Sequence, residues 1–226
     1  MSSILSNESA FATRAEVGAV AEMAGAPNRG IPRWADGLVA GVVLLAATPV
    51  IAVLAFAIAI TSGGPVFFRQ RRVGRGFQLF TMIKLRTMRR SNSGPKVTRK
   101  GDDRVTPFGR FLRATKLDEL PTLFNVVRGD MALVGPRPEV PEYVNQQDPR
   151  WQKVLSVRPG ITDPVTISLR NEEELLSAAS DAEVYYKSEL QPLKLSGYVE
   201  YLERRTLRSD IKVLCQTISA IVRNPR

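Results

Sequence analysis

Histidine is absent from this sequence of 226 residues, and cysteine occurs once, as Cys215. A single cysteine excludes an internal disulfide and makes a zinc site built from thiolates implausible. Without histidine there is no Ser-His or Cys-His nucleophile pair, no imidazole base and no histidine-ligated metal. Acid–base, nucleophilic or metal chemistry must therefore rest mainly on carboxylates, lysine, tyrosine or water.

Negative charge is nearly missing from residues 65–116, where 15 Lys and Arg side chains accompany only Asp102 and Asp103. The formal net charge of the whole chain is +10, so this basic block accounts for all of the positive excess. Such a block attracts anions: the phosphates of a nucleotide, a nucleic acid, or anionic lipid headgroups.

One long run without charge, residues 38–60, is dominated by Leu, Val, Ile and Ala. A helix of that length covers about 35 Å, which is enough for a bilayer. No second run of this kind occurs in the sequence. The run predicts one membrane segment, with residues 1–33 before it as a mobile tail that has a short helix near 13–24.

Thr48 and Pro49 lie at the middle of this apolar run. Proline removes one helical hydrogen bond, so a kink is expected there, and the Thr48 hydroxyl is expected to serve a freed carbonyl. A kinked helix that spans the bilayer is one interpretation. Basic residues flank the run on both sides, with Arg29 and Arg33 before it, and this favours a re-entrant helix whose two ends face the cytoplasm.

The remaining pattern predicts a mainly α fold with a small β element (α+β). We expect a strand over 77–85, a polar loop at 91–106, a helix over 108–116, and a short helix whose first turn holds Pro121. Near the C-terminus an amphipathic helix is expected to pack on the core, with a membrane-surface or partner-binding helix as the alternative. Its apolar positions recur at spacings of four and three: Leu207, Ile211, Leu214, Ile218 and Ile221.

Asp118 and Glu119 are adjacent, follow Arg113 and Lys116, and precede Pro121. Two carboxylates that are adjacent in sequence can both face one site only at a turn or at the start of a helix. The nearby cations are expected to lower the pKa values of both carboxyl groups. An ionised aspartate is a competent nucleophile toward phosphorus, and its neighbour could hold Mg²⁺. The alternative is an acidic helix cap without catalytic function.

Residues 135–138 place Arg137 between a Gly-Pro pair and a second proline. The prolines on either side restrict the backbone at Arg137 and so fix the direction of its guanidinium. A guanidinium can form two parallel hydrogen bonds to one phosphate. A structural turn with a surface arginine is the alternative.

With these residues assembled, the chain resembles the bacterial sugar transferase family, the monotopic polyprenyl-phosphate phosphoglycosyl transferases. The resemblance rests on residues 63–88, 106–143 and 157–162, which follow one another in the family's order. It implies a re-entrant helix at 34–62, broken in the family at a Ser-Pro pair where this chain has Thr48 and Pro49. It also implies a catalytic domain, residues 63–226, at the cytoplasmic face of the bacterial inner membrane.

The resemblance further implies an activity: transfer of a sugar phosphate from a UDP-sugar to polyprenyl (undecaprenyl) phosphate, with Mg²⁺ required and UMP released. Asp118 would attack the donor and carry the phosphosugar, and Glu119 would be its partner in catalysis and in metal binding. Candidate substrate-binding residues are Arg113, Arg137, Arg170, Lys116 and Arg86. Residues 163–174 depart from the family apart from the Arg170-Asn171 pair, which leaves the donor sugar open.

A different class of function also fits the composition: a membrane-anchored protein that binds anions or serves as a scaffold without turnover. Asp118→Asn would leave its function intact, whereas a transferase would lose transfer. A nucleic-acid partner is not expected, because no recognition module is present and the basic block adjoins an apolar segment. The sequence leaves the oligomeric state open.

Overall fold

The structure, a computed structural model, describes residues 30–89 and 97–223 of the chain. The predicted tail at 1–33 and its short helix therefore lie almost entirely outside the described residues, as does the first part of the predicted loop at 91–106. Within the described ranges, helices predominate and strands are few. The predicted fold class, mainly α with a small β element, is confirmed.

A long helix and a β-hairpin begin the described chain: α1 (Arg33–Ser62), β1 (Phe67–Val73), a 3₁₀ turn (Arg75–Phe77) and β2 (Leu79–Leu85). The segment that carries the two adjacent carboxylates comes next: α2 (Pro107–Thr115), a 3₁₀ turn here named the carboxylate turn (Leu117–Thr122), α3 (Leu123–Arg128) and β3 (Ala132–Val134). The rest is helical apart from one strand: a 3₁₀ turn (Pro141–Tyr143), α4 (Pro149–Val154), β4 (Gly160–Thr162), α5 (Pro164–Ser168), α6 (Glu172–Ala178), α7 (Ala182–Tyr185), a π-helical stretch (Tyr186–Leu190), α8 (Gln191–Arg204) and α9 (Leu207–Arg223).

The strands form two small sheets. β1 and β2 pair antiparallel, with Val73 opposite Leu79 at the turn end. β3 and β4 pair in parallel, with Ala132 opposite Gly160. The predicted strand over 77–85 is confirmed except at its start, because Phe77 takes a positive φ of 62° and belongs to the 3₁₀ turn.

α1 has buried residues near each of its ends, and its middle is exposed. Near the start, Asp36 and Ala40 have no exposed surface, and near the end Ile58 is 1% exposed. Leu45 in the middle exposes 77% of its surface. The helix is therefore held at two separated points, with an apolar stretch between them that the described residues leave uncovered.

α1 is continuous across Pro49. The hydroxyl of Thr48 donates to the carbonyl of Leu44 at 2.9 Å. Proline deprives the carbonyl of Leu45 of its helical donor, because the bond runs from each N–H to the fourth residue before it. The hydroxyl therefore serves a different carbonyl from the one expected, and this second bond to Leu44 favours a bend. The break at this pair and the re-entrant insertion stay predictions.

The last helix, α9, differs from the expectation that its apolar stripe packs on the core. Val213 and Asp210 face inward, whereas Leu207, Ile211 and Ile218 expose 47%, 50% and 63% of their surface. The reason is the buried carboxylate of Asp210: the guanidinium of Arg205 donates to it at 2.8 Å, and the Tyr201 hydroxyl also donates to it. These bonds fix the rotation of the helix: Leu214 of the stripe packs against the core, and the other stripe residues turn outward.

Candidate active site

The carboxylate turn begins where α2 ends. The hydroxyl of Thr106 accepts a hydrogen bond from the backbone N–H of Gly109 at 2.9 Å and caps the start of α2. At the other end Lys116 adopts a left-handed conformation with φ 59° and ψ 14°. A residue with a Cβ in that region carries a cost of about 1 kcal/mol. This strained residue redirects the chain so that Asp118 and Glu119 follow on a tight turn, as the sequence predicted.

Two buried polar side chains bind the carboxylate turn to strand β2. The Thr122 hydroxyl donates to the carbonyl of Ile83 at 2.9 Å. The Asn125 amide donates to the carbonyl of Thr81 at 2.7 Å and accepts from the backbone N–H of Ile83 at 3.2 Å. Because both side chains are almost fully buried, these bonds fix the carboxylates relative to the side chains of β2.

Glu119 lies between two cations. Its Oε1 is 2.7 Å from the Nζ of Lys84 and 2.6 Å from a guanidinium nitrogen of Arg137. The positive charges of Arg137 and Lys84 outweigh the burial of the carboxyl and hold its pKa well below the usual range. Glu119 is therefore ionised, as predicted, and its charge is balanced within the protein.

Asp118 has the opposite environment. Only 7% of its surface is exposed, and its Oδ1 is buried without a hydrogen-bond partner. Burial and the adjacent charge of Glu119 raise the pKa of Asp118, against the opposing charges of Lys84, Lys116 and Arg113. The prediction of a lowered pKa is right for Glu119 and wrong for Asp118, because desolvation outweighs the cations there. A buried oxygen without a hydrogen-bond partner, such as Oδ1 of Asp118, indicates a position where a ligand can bind.

Arg137 is fixed by the close approach of two backbone segments. A Cβ on Gly160 would lie 2.1 Å from the backbone nitrogen of Gly135, and a Cβ on Gly135 would lie 2.7 Å from the carbonyl of Arg158. Only glycine fits at this crossing, where β3 and β4 lie side by side. The close approach therefore fixes the path of the backbone after Gly135, and this path places the Arg137 guanidinium beside Glu119.

The assembled side chains form an anion-binding arrangement. Two carboxylates, Asp118 and Glu119, interact with four cationic side chains: Lys84, Arg113, Lys116 and Arg137. Glu173 lies 3.4 Å from a guanidinium nitrogen of Arg113, so with all three carboxylates ionised the cluster keeps an excess of one positive charge. In a partly buried site this excess favours a multiply charged anion such as a phosphate or diphosphate.

Residues 27–224 match the family described as bacterial sugar transferase. The chain belongs to this family. The predicted recognition, and with it the prediction of an enzyme of the phosphoglycosyl transferase class, is confirmed.

Three relatives of this sugar transferase illustrate the likeness. The UDP-glucose:undecaprenyl-phosphate glucose-1-phosphate transferase of Caulobacter vibrioides is 35% identical over 196 residues, which cover 84% of this chain and 69% of that protein. The exopolysaccharide production protein ExoY of Rhizobium meliloti is 32% identical over 96% of this chain and 94% of its own length. The UDP-N-acetylgalactosamine-undecaprenyl-phosphate N-acetylgalactosaminephosphotransferase of Aeromonas hydrophila is 40% identical over 85% of this chain and 44% of its own length.

These names differ in the sugar. Relatives of comparable identity are named for glucose and for N-acetylgalactosamine. Sequence similarity to these relatives therefore does not identify the donor sugar of this sugar transferase. The shares of length also differ, since the chain spans less than half of the Aeromonas protein and nearly all of ExoY.

The other candidate substrate-binding residues lie at different distances from the carboxylates. The charge of Arg113 acts on Asp118, and its Nε donates to the Thr87 hydroxyl at 3.0 Å. Arg86 donates to the carbonyls of Ser62 at 2.9 Å and Gly64 at 3.0 Å, and also to that of Gly63. These bonds cap the C-terminal end of α1, and the substrate contact predicted for Arg86 stays a prediction.

Arg170 is engaged elsewhere in this sugar transferase. Its guanidinium donates to the carbonyl of Ala220 at 2.9 Å, near the end of α9. The departing segment 163–174 begins with a helix cap, because the buried carboxylate of Asp163 accepts from the backbone N–H and the hydroxyl of Thr166 at 2.7 and 2.6 Å. The substrate contact predicted for Arg170 stays a prediction.

Lys84, Thr122 and Asn125 are the site residues that the sequence analysis missed. Lys84 lies on the predicted strand in a run of alternating residues, and a single lysine there is typical of a solvent-facing position. Burial lowers its pKa to about 8, against the opposing charge of Glu119. The one signal in the sequence was its place within the matched segment 63–88.

Magnesium was predicted at Asp118 and Glu119. Among residues 30–89 and 97–223, no group of three acidic, cysteine or histidine side chains could hold a metal ion. Glu119 is already neutralised by Lys84 and Arg137, whereas Oδ1 of Asp118 has no partner. Mg²⁺ commonly uses one or two protein carboxylates together with substrate phosphates. The residues fit such an ion with Asp118 as its protein ligand.

Proposed function

We propose that this sugar transferase moves a sugar-1-phosphate from a UDP-sugar to undecaprenyl phosphate and releases UMP. The observation that carries the proposal is the buried Asp118 carboxyl, with an unpartnered oxygen, among Lys84, Arg113 and Lys116. The names of the relatives support the same substrates. The product would be the lipid-linked sugar with which assembly of a polysaccharide or glycoconjugate begins.

Asp118 would act as the nucleophile. A carboxylate oxygen attacks the phosphorus that carries the sugar, the bond from that phosphorus to the bridging oxygen breaks, and UMP leaves with the electron pair. An oxygen of undecaprenyl phosphate then attacks the same phosphorus and displaces the Asp118 carboxylate, which is restored. Burial raises the pKa of the free Asp118, and the positive charges of Lys84, Lys116 and Arg113 favour the ionised form that attacks.

Charge stabilisation would come from the cations of the site. Phosphoryl transfer depends on positioning and on electrostatic stabilisation more than on covalent help from the protein. Lys84, Lys116 and Arg113 all act on Asp118 and would face the diphosphate there. Glu119 would position Lys84 and Arg137, because it holds both of them by short ion pairs. Bound Mg²⁺ would shield the negative charge of the diphosphate.

The membrane attachment would be re-entrant, with the domain on one face. Near its start, Asp36 of α1 accepts from a guanidinium nitrogen of Arg158 at 2.8 Å, and near its end Ile58 packs with Leu85 and Leu112. If α1 crossed the bilayer, this domain with its buried ion pair would have to extend to both sides. A bent helix with an exposed apolar middle inserts from one side and keeps both contacts. The cytoplasmic face is part of the proposal, supported by the basic flanks.

The decisive experiment measures UMP. The detergent-solubilised protein is incubated with Mg²⁺ and a panel of UDP-sugars, with and without undecaprenyl phosphate. We expect one donor to release UMP in proportion to enzyme without acceptor, and continuously with acceptor. Asp118→Asn should abolish both, while the same change at the exposed Asp103 should have no effect.

Two outcomes would contradict the proposal. Absence of UMP from the wild type with every donor would favour the scaffold interpretation, in which the cations bind anions without reaction. UMP that appears only when the acceptor is present would favour direct transfer in one ternary complex over the phosphosugar intermediate.

Topology is tested separately: in a Cys215→Ser background, a cysteine placed at Ser3 is labelled from outside intact cells only if α1 spans the bilayer.

A further inference from the structure

A series of polar side chains extends from the carboxylate turn into the protein. Its first half runs through Arg137, which lies 2.6 Å from Glu119, and then through Glu139, two residues farther along the chain. Glu139 accepts from the Tyr186 hydroxyl and lies 3.4 Å from a guanidinium nitrogen of Arg72. The proposed reaction does not use Glu139, Tyr186 or Arg72, although all three are buried or half-buried.

The second half returns to the carboxylate turn by way of α8 and α6. The Nζ of Lys194, on α8, donates to the Tyr186 hydroxyl at 3.4 Å and to the two carboxylate oxygens of Glu172 at 3.2 and 3.1 Å. The next residue, Glu173, lies 3.4 Å from a guanidinium nitrogen of Arg113, whose charge acts on the carboxylate turn. The contacts therefore close into a ring that begins and ends at the carboxylate turn, and we name these side chains the polar ring.

Tyr198 belongs to the same region, and its hydroxyl has no partner. It follows Lys194 by four positions on α8, so the two side chains leave the same side of the helix. Its aromatic ring packs with Trp151 and Leu195 in an apolar cluster, and 3% of the residue is exposed. Among residues 30–89 and 97–223, no atom forms a hydrogen bond with this hydroxyl. Such a group requires an explanation, because most buried polar groups are hydrogen-bonded.

The charges around Tyr198 indicate where its hydroxyl points. Burial raises the pKa of Tyr198 well above the ordinary 10, and the negative charges of Asp163, Glu139 and Glu172 add to the increase. The positive charge of Arg137 opposes it. Since Glu139 and Glu172 lie in different halves of the polar ring, the hydroxyl faces the space between them rather than the apolar cluster.

The chemistry of this region suits a group that carries several hydroxyls. A hydroxyl both donates and accepts, and the polar ring offers carboxylates that accept together with cationic side chains that donate. In the proposed reaction the sugar of the donor is bonded to the phosphorus that Asp118 attacks, whereas the ribose of uridine lies one phosphate farther away. The transferred sugar is therefore the hydroxylated part of the donor that lies closer to the carboxylate turn, where the polar ring begins and ends.

We propose that Tyr198 is a specificity-determining residue, and that its hydroxyl forms a hydrogen bond with a polar substituent on the sugar of the donor, inside the polar ring. The inference rests on the proposed function, because it concerns the sugar that is transferred with the phosphate. A donor that lacks the substituent leaves the buried hydroxyl without a partner, and the site discriminates against it. Tyr198 thus helps to choose among the sugars that the names of the relatives leave open.

The experiment compares the wild type with Tyr198→Phe, which keeps the aromatic ring and removes the hydroxyl. Steady-state UMP release is measured with undecaprenyl phosphate, Mg²⁺, the preferred UDP-sugar and analogues of it that each lack one polar substituent of the sugar. For the preferred donor we expect kcat/KM to fall about tenfold in Tyr198→Phe. One analogue should lose about tenfold with the wild type and nothing further with the variant, because both changes remove the same hydrogen bond.

Two further measurements separate a contact with the sugar from other roles. Inhibition by UMP should be the same in the two proteins, because UMP retains uridine and one phosphate but lacks the transferred sugar. The melting temperature of Tyr198→Phe should equal or exceed that of the wild type, since the hydroxyl has no partner among the described residues to lose. Tyr185→Phe makes the same change at a partly buried tyrosine of α7 and should alter none of these values.

Three results would overturn the inference. Kinetics of Tyr198→Phe that equal those of the wild type with every donor would show that the hydroxyl meets only buried water. An inhibition constant for UMP that rises together with the loss of kcat/KM would assign the hydroxyl to uridine. Losses that add for every analogue would show that Tyr198 and the sugar share no hydrogen bond. UMP absent from the wild type with every donor would instead refute the proposed function, and the inference with it.

Discussion

The alkaline limit of activity provides a sharp test of the active site, because it depends on Lys84. Burial lowers the pKa of this ammonium group to about 8 from an ordinary 10.5. In the free enzyme Lys84 is therefore protonated below pH 8 and mostly neutral above it. If it holds the donor diphosphate, kcat/KM for the UDP-sugar should fall about tenfold for each pH unit above 8.

The change Lys84→Arg supplies the comparison. A guanidinium stays charged throughout this range and can still reach Glu119, so the decline above pH 8 should disappear in the variant. Lys84→Met removes the charge at every pH and should give a low, flat kcat/KM. The acid side of the profile, which follows ionisation of Asp118 with its raised pKa, should be the same for the wild type and Lys84→Arg. Lys153→Arg, at an exposed lysine paired with Glu203, is the matched control.

Stability gives a readout that needs no substrate. Because the pKa of Lys84 is lower in the folded protein than in the unfolded chain, the unfolded chain binds more protons between about pH 8 and 10.5. Stability therefore rises with pH in that window, by about 3 kcal/mol for this group. Compared with Lys84→Arg, the wild type should gain stability as the pH increases. If kcat/KM and stability each depended on pH in the same way in the wild type and in Lys84→Arg, the assignment of the titrating charge to Lys84 would be refuted.

Asp36→Asn leaves the guanidinium of Arg158 without its buried partner, and we expect a loss of about 3 kcal/mol, measured as a fall of about 10 °C in the apparent melting temperature; an unchanged value would contradict a structural role for the pair. Lys116→Gly removes the strain of a side chain on a left-handed backbone but also removes a cation. The melting temperature should therefore stay unchanged while UMP release falls, and activity equal to that of the wild type would exclude a contact between Lys116 and the donor. Gly160→Ala introduces a Cβ 2.1 Å from backbone and should sharply lower the yield of folded protein, whereas Gly37→Ala, with open space around it, should be tolerated.

Several features of the site could be read from residues that are close in sequence. The adjacency of Asp118 and Glu119, with Pro121 after them, requires a turn for both to serve one site, and the structure has a 3₁₀ turn there. The glycine and prolines next to Arg137 predicted a fixed guanidinium. Both predictions depend on local backbone geometry, which a few consecutive residues determine, whereas the crossing of Gly135 and Gly160 that also fixes Arg137 joins segments far apart in the sequence.

Features that depend on contacts distant in sequence could not be read in this way. Lys84 and Glu119 are 35 positions apart and meet only because Thr122 and Asn125 fasten the carboxylate turn to β2. The same holds for the pKa of Asp118, since nearby cations in the sequence predicted a decrease and the burial of the carboxyl reversed it. Desolvation is a property of the whole packed neighbourhood and has no signature in a single residue.

By itself the sequence determined the chemistry that is available, the apolar segment and the family, because composition, the length of an uncharged run and motif order are local properties of the chain. Only the tertiary structure decided which carboxylate is balanced by cations and which keeps a free oxygen, and which side of α9 faces outward. Those outcomes depend on how segments far apart in the chain pack together, since burial and ion pairing arise only when the packed structure excludes water.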